Sequence, residues 1–135
     1  MNLFTGKLKA TLAVALVVLG TSAWAQKYPS KVIEWVVPYP PGGGTDTVAR
    51  ALAQVMGESM GQSMVINNKP GAATNIGAEY VARAKNDGYV IMSADTATLA
   101  ANPFIYSKLP FNVEKDFAAI GLTVRFPMIL VVNPA

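Results

Sequence analysis

The sequence predicts an α/β segment in which mostly parallel strands carry helices on their faces, and three observations predict it. Short runs of β-branched and aromatic residues recur along the chain, each bounded by proline, glycine or asparagine. Between them lie stretches whose apolar residues fall three and four apart, the spacing of a helix face. The two patterns alternate in the order strand, turn, helix, strand, which is the sequence form of parallel strands joined by helical crossovers.

The first strand is expected over 32–37, where Val-Ile-Glu-Trp-Val-Val stops at Pro38 as a buried strand would. Tyr39-Pro40-Pro41-Gly42-Gly43-Gly44 is too rich in proline and glycine for helix or strand, and Thr45-Asp46 are expected to cap the helix that follows. That helix carries Val48, Leu52, Val55 and Met56 on one face, with Gly57 and Gly61 as stop signals. A second strand is expected over 64–67, then a turn at Pro70-Gly71 and a helix over 76–84 capped by Asn75 and ended by Asn86-Asp87-Gly88. A third strand over 89–92 runs into the polar stretch Ser93-Ala94-Asp95-Thr96, and 98–106 is expected to be partly helical despite Pro103. Residues 108–112 read as irregular, and two last strands are expected over 118–124 and 128–132.

Composition narrows the functions. The 135 residues hold no cysteine and no histidine, which removes disulfides, thiolate and imidazole metal sites, and every triad that uses histidine as its base. The first residues read as a signal peptide: Lys7 and Lys9 precede an apolar run over 10–19, and Ala23-Trp24-Ala25 offers the small residues a peptidase requires. Cleavage is expected between Ala25 and Gln26. The apolar run is about half the ~20 residues a membrane-spanning helix needs, so no membrane anchor is expected after cleavage. Without Lys7 and Lys9 the eleven basic residues become nine against eight acidic ones, a net charge of +1. Such scattered charge does not suit nucleic acid.

The candidate chemistry centres on the first loop. Three consecutive glycines before a helix N-terminus let backbone amides approach an anion closely, with the helix dipole in support. A P-loop is excluded because no lysine follows Gly44, and the dinucleotide fingerprint fails because Thr47 stands where its third glycine belongs. The bland alternative is a tight turn that merely uses glycine. In an open parallel sheet, residues 39–46, 71–75 and 93–98 gather beyond the carboxyl ends of the strands. There the hydroxyls of Ser93, Thr96 and Thr98 suit a carboxylate as well as they suit ordinary helix capping, and Tyr39 either borders the site or only covers the loop. Asp46 and Asp95 follow the first and third strands and could pair for acid-base work, but no nucleophile or metal spacing accompanies them, so no enzyme, cofactor or metal is expected.

Landmarks along the mature chain carry a resemblance. Tyr28-Pro29-Ser30-Lys31, Val36-Val37-Pro38-Tyr39-Pro40-Pro41-Gly42-Gly43-Gly44-Thr45-Asp46, Ala49-Arg50 and Val65-Ile66-Asn67-Asn68-Lys69-Pro70-Gly71-Ala72 come first. Asn75-Ile76-Gly77-Ala78, Asp87-Gly88-Tyr89, Asn102-Pro103, Lys115-Asp116-Phe117 and Val131-Val132-Asn133-Pro134 follow. In this order and spacing the chain resembles the Bug-type periplasmic receptors of tripartite tricarboxylate transporters.

The resemblance implies the type 2 periplasmic-binding-protein fold, of which 26–135 would be the N-terminal portion of a first domain, with a second domain outside this sequence. It implies an exported receptor that captures a small organic acid or related molecule and delivers it to membrane transporter subunits. Carried over by position, Tyr39, Gly43, Gly44, Thr45 and Asp46 match the first ligand loop, and Ser93, Asp95, Thr96 and Thr98 match the other. The family usually has small polar residues or glycine around Asp95, so the carboxylate here weighs against a purely polyanionic ligand. An exported sensor or enzyme on the same scaffold, or a non-functional truncated product, is the alternative. With sheet edges and helix faces left uncovered, 26–135 alone is expected to be poorly stable and to bind weakly.

Overall fold

The computed structural model describes residues 27–127 and 129–133. The chain divides into two units, Met1–Ser30 and Lys31–Ala135. Of the first unit, residues 27–30 are described, with a cis peptide between Tyr28 and Pro29; the expected leader and its cleavage point at Ala25-Gln26 lie outside the described residues.

The second unit is built on a three-stranded parallel sheet in the order β2-β1-β3. β1 (Ile33–Val37) lies in the centre, and Ile33, Trp35, Val36 and Val37 are buried. A central parallel strand is covered on both faces, which is why its sequence reads as a nearly continuous apolar run. β2 (Met64–Asn68) and β3 (Val90–Met92) flank it, with Trp35 opposite Ile66 on one side and Ile91 on the other. The parallel sheet with flanking helices bears out the fold class read from the sequence.

α1 (Gly44–Met60) crosses from β1 to β2. Its Ala49 and Ala53 press on Trp35 and Val37, with Tyr39, Leu52, Met64, Ile66 and Ile91 completing that core. Small residues on the helix let it sit close to a sheet that supplies the bulk. The helix runs through Gly57 and ends at Gly61, whose left-handed backbone (φ 67°) returns its N–H to the Gly57 carbonyl. Gly57 is therefore not the stop it was expected to be. A Cβ there would lie 3.1 Å from the Gln62 carbonyl, so the glycine serves the chain that folds back over the helix end.

α2 (Asn75–Ala82) follows a short left-handed turn over Ala72–Thr74. Thr74 is its cap residue and Asn75 its first helical residue, so Asn75 does not cap as expected. Gly77 sits against Pro38, where a Cβ would come within 2.9 Å of the proline Cβ.

Beyond β3, a wide π-type turn over Ala97–Ala101 leads into α3 (Asn102–Ile105). Pro103 falls in the first turn of α3, where its missing N–H costs nothing, so the expected helix survives it. α4 (Val113–Asp116) is a single capped turn: the Asn112 side chain accepts from the N–H groups of Glu114 and Lys115, both at 3.0 Å.

Neither of the two expected final strands forms among the described residues. Among the described residues of 117–133 there is no strand, and Ile120, Leu130 and Val131 are largely exposed. β-branched residues favour an extended chain, but a strand exists through its ladder to a neighbour, and the described residues of this segment pair with no strand of the sheet.

Candidate functional site

The loops after β1, β2 and β3 all leave the carboxyl edge of the sheet, the edge where open α/β sheets bind ligands. Backbone bonds begin the alignment: the Lys69 N–H donates to the Val37 carbonyl at 2.8 Å and the Ser93 N–H to the Val36 carbonyl at 3.0 Å. Each loop thus starts from a fixed point beside its neighbours.

The first loop closes around Asp46. Gly42 has φ 87°, a conformation open to glycine and strained for other residues, and it turns its N–H onto Asp46 Oδ2 at 2.8 Å. Arg50 Nε donates to the same oxygen at 2.9 Å, and Asn68 Nδ2 donates to Oδ1 at 2.8 Å. Asn68 also donates to the Tyr39 carbonyl at 3.0 Å and accepts from Arg50 at 3.0 Å. The Arg50 hydrogen bond above all, then the Gly42 N–H and the Asn68 amide, hold the Asp46 carboxyl well below the usual carboxylate range.

α1 consequently starts at Gly44 with Gly43 as cap residue, earlier than the Thr45-Asp46 cap expected from the sequence. Thr47 donates its N–H and its hydroxyl to the Gly43 carbonyl at 2.9 and 3.0 Å. Asp46 sits one turn inside the helix and reaches backward, as the acidic member of a capping box does. Gly43 and Gly44 are exposed and Thr45 is half-buried, while Asp46 is only 2% exposed. Of the five residues expected in this loop to meet a ligand, Asp46 instead spends its carboxylate on the loop itself.

The third loop is tied to the first. The Tyr39 hydroxyl donates to Asp95 Oδ2, and Trp35 Nε1 donates to Ser93 Oγ at 2.9 Å. Burial first, and then the Asp95 carboxylate, push the Tyr39 hydroxyl up to about 12, so it remains a donor. Asp95 Oδ1 accepts the Thr98 N–H at 3.1 Å and the Thr98 hydroxyl at 3.2 Å. Asp95 is half-buried and Thr96 exposed, whereas Thr98 is completely buried and bonded to the Thr74 hydroxyl at 2.8 Å. Thr98 therefore joins Asp46 as a residue that holds the loops from behind.

The second loop carries the strain. Ala72, Ala73 and Thr74 have φ of 46°, 50° and 78°, three successive non-glycine residues in the left-handed region. Asn102, 2% exposed, donates to the Ala73 carbonyl and to Asn75 Oδ1, both at 2.7 Å.

Asn68, Arg50, Thr74 and Asn102 are the residues the sequence reading missed. A polar amide at the carboxyl end of a strand was the signal available for Asn68. Asn102 carried none beyond its proline neighbour, because its partners lie 27 to 29 residues away. Asp46 and Asp95 do not pair with each other as acid and base: each carboxylate has its own donors. Among the described residues no three acidic side chains gather as a metal site, and no helix is long and apolar enough to cross a membrane.

Comparison with known proteins matches residues 48–135 to the model of the tripartite tricarboxylate transporter family receptor. A protein encoded in the tcbD-tcbE intergenic region of Pseudomonas sp. (strain P51) is 37% identical over 130 residues, covering 94% of this chain and 38% of its own length. BugT of Bordetella pertussis is 34% identical over 131 residues, covering 95% of this chain and 40% of its own. The chain thus spans about two fifths of the length of these relatives. Among solved structures, MatC from Rhodopseudomonas palustris with bound malate superposes with a TM-score of 0.63 at 36% identity, over 67% of this chain and 31% of that one. An R. palustris protein solved with adipate gives a TM-score of 0.62 at 36% identity, over 64% of this chain and 29% of that one.

Proposed function

We propose, because this chain belongs to the tripartite tricarboxylate transporter receptor family, that it forms the N-terminal portion of an exported receptor capturing a small carboxylate-type ligand. Residues 1–25 are its signal peptide, the periplasm is its compartment, and the membrane subunits of a tripartite transporter are its partners. The ligand leaves the receptor chemically unchanged.

The observation that carries this reading is the glycine loop ahead of α1. Exposed Gly43 and Gly44 stand at the N-terminus of a 17-residue helix, and the Asp46, Asn68 and Arg50 network holds the loop from beneath. Helix N-terminal amides and the positive end of the dipole favour a carboxylate there without any basic side chain. In this reading Gly43, Gly44 and Thr45 receive the carboxylate, and Tyr39 borders it. Ser93, Asp95 and Thr96 face it from the third loop, while Asp46 and Thr98 keep the two loops in place. The malate and adipate found on the two R. palustris relatives are small acids of the kind such a site would take.

Calorimetric titration of the receptor, purified as its host exports it, with a panel of small mono-, di- and tricarboxylates tests the proposal. Saturable binding of one class, with a matching rise in melting temperature and the ligand recovered intact by mass spectrometry, is the expected result. Turnover of the bound acid would replace the receptor with an enzyme on the same scaffold, and no binding across the panel would overturn the assignment.

A further inference from the structure

Asp95 places a fixed negative charge beside the loop that otherwise attracts anions. Its two oxygens are held from two directions: Thr98 donates its N–H and hydroxyl to Oδ1 at 3.1 and 3.2 Å, and the Tyr39 hydroxyl donates to Oδ2. Both holders are anchored in turn. Thr98 is completely buried against Thr74, and Tyr39 packs on the core while Asn68 grips its carbonyl at 3.0 Å. The carboxylate therefore has no freedom to swing away from an incoming ligand.

Among the described residues no cation forms an ion pair with Asp95. The ion pairs among the described residues are Lys31 with Asp87, Arg50 with Asp46 and Arg83 with Glu79. Arg50, on the helix that opens at the glycine loop, has its guanidinium committed to Asp46 and Asn68. Tyr39 and Asp95 are 56 residues apart in sequence, yet their contact ties the glycine loop to the loop after β3.

Resting on the binding site proposed above, we infer that Asp95 is its specificity-determining residue. It selects an acid that presents a hydrogen-bond donor, an ammonium above all, close to the carboxylate received by the glycine loop. A ligand at that loop meets amide donors on one side and, on the other, a half-buried carboxylate that no cation among the described residues pairs with. A zwitterionic amino acid matches both. A compact dianion matches the first and is repelled by the second, and a hydroxy acid falls between them.

The test uses the exported receptor and Asp95→Asn, titrated calorimetrically with succinate, malate and aspartate, three acids of one carbon skeleton. Asparagine caps a helix as well as aspartate does, so the variant keeps the turn at Thr98 through Oδ1 while it loses the charge; its Nδ2 replaces the oxygen that accepted from the Tyr39 hydroxyl, which must turn to accept instead. Wild type is expected to bind aspartate more tightly than malate and malate more tightly than succinate. D95N is expected to reduce the aspartate-to-succinate affinity ratio tenfold or more, the scale of one unit charge acting across a few ångströms of partly exposed protein. A wild-type preference for succinate, or a ratio unchanged in D95N, overturns the specificity role and leaves the receptor standing. Failure of wild type to bind these or any other small carboxylate overturns the receptor reading and this one together.

Discussion

The Asn102 amide donates to the Ala73 carbonyl at 2.7 Å and so joins the helix after β3 to the left-handed turn after β2. The same amide reaches Asn75 Oδ1 at 2.7 Å and the Thr74 hydroxyl at 3.4 Å. Truncation by Asn102→Ala removes the donor to the Ala73 carbonyl and leaves the oxygen of buried Asn75 without this partner. A buried polar group stripped of its partner costs about 1–3 kcal/mol, and a loss of that order is expected in urea denaturation of the exported receptor. Unchanged stability would mean that the amide does not hold the turn.

The turn itself offers the opposite prediction. Ala73 has φ 50° and Ala72 φ 46°, where a Cβ crowds the backbone. Ala73→Gly removes that strain while adding chain entropy to the unfolded state, so the net gain is expected to be about 0.5–1 kcal/mol. A higher melting temperature checks it, and a lower one would show that the Cβ is needed for packing.

Gly77 of α2 lies tight against Pro38, the residue that follows β1. An added Cβ would stand 2.9 Å from Pro38 Cβ and 3.1 Å from the Lys69 carbonyl. Neither neighbour is the flexible end of a side chain, so Gly77→Ala is expected to destabilise by about 1–3 kcal/mol. Because Pro38 begins the glycine loop, ligand affinity should fall as well; denaturation and calorimetry on the same sample measure both.

Acid should loosen the first loop through Asp46. Its carboxyl ionises well below the usual range when folded, chiefly through the Arg50 hydrogen bond, whereas the unfolded carboxyl ionises near pH ~4. The resulting stabilisation is complete above the unfolded value and is lost as pH falls through the folded one. Stability followed from pH 7 downward is therefore expected to decline more steeply in wild type than in Asp46→Asn, which should be less stable at pH 7. Parallel curves would remove Asp46 from this role.

The sheet and its first two crossovers were legible in the sequence because their signals are local. Val36-Val37 stops at Pro38, Gly61 can turn left-handed, and Val90-Ile91-Met92 sits between Gly88 and Ser93. The glycine loop and the loop holding Ser93 to Thr98 were legible as an edge of polar and flexible chain. Their internal arrangement was not. Thr45 and Asp46 look like caps when read alone, and only the Asn68 and Arg50 donors turn Asp46 backward under Gly42.

By itself, then, the sequence determined the alternation of strand and helix, the parallel α/β class and the place of the glycine loop, because propensity, hydrophobic spacing and turn chemistry act over a few residues. Tertiary structure alone decided that Tyr39 meets Asp95, that Asn102 grips the turn at Ala73, and that 118–124 and the described residues of 128–132 form no strand. Those outcomes depend on which donor, acceptor or ladder partner the fold brings alongside. The Tyr39–Asp95 and Asn102–Ala73 contacts join residues 56 and 29 positions apart, beyond the reach of any local pattern.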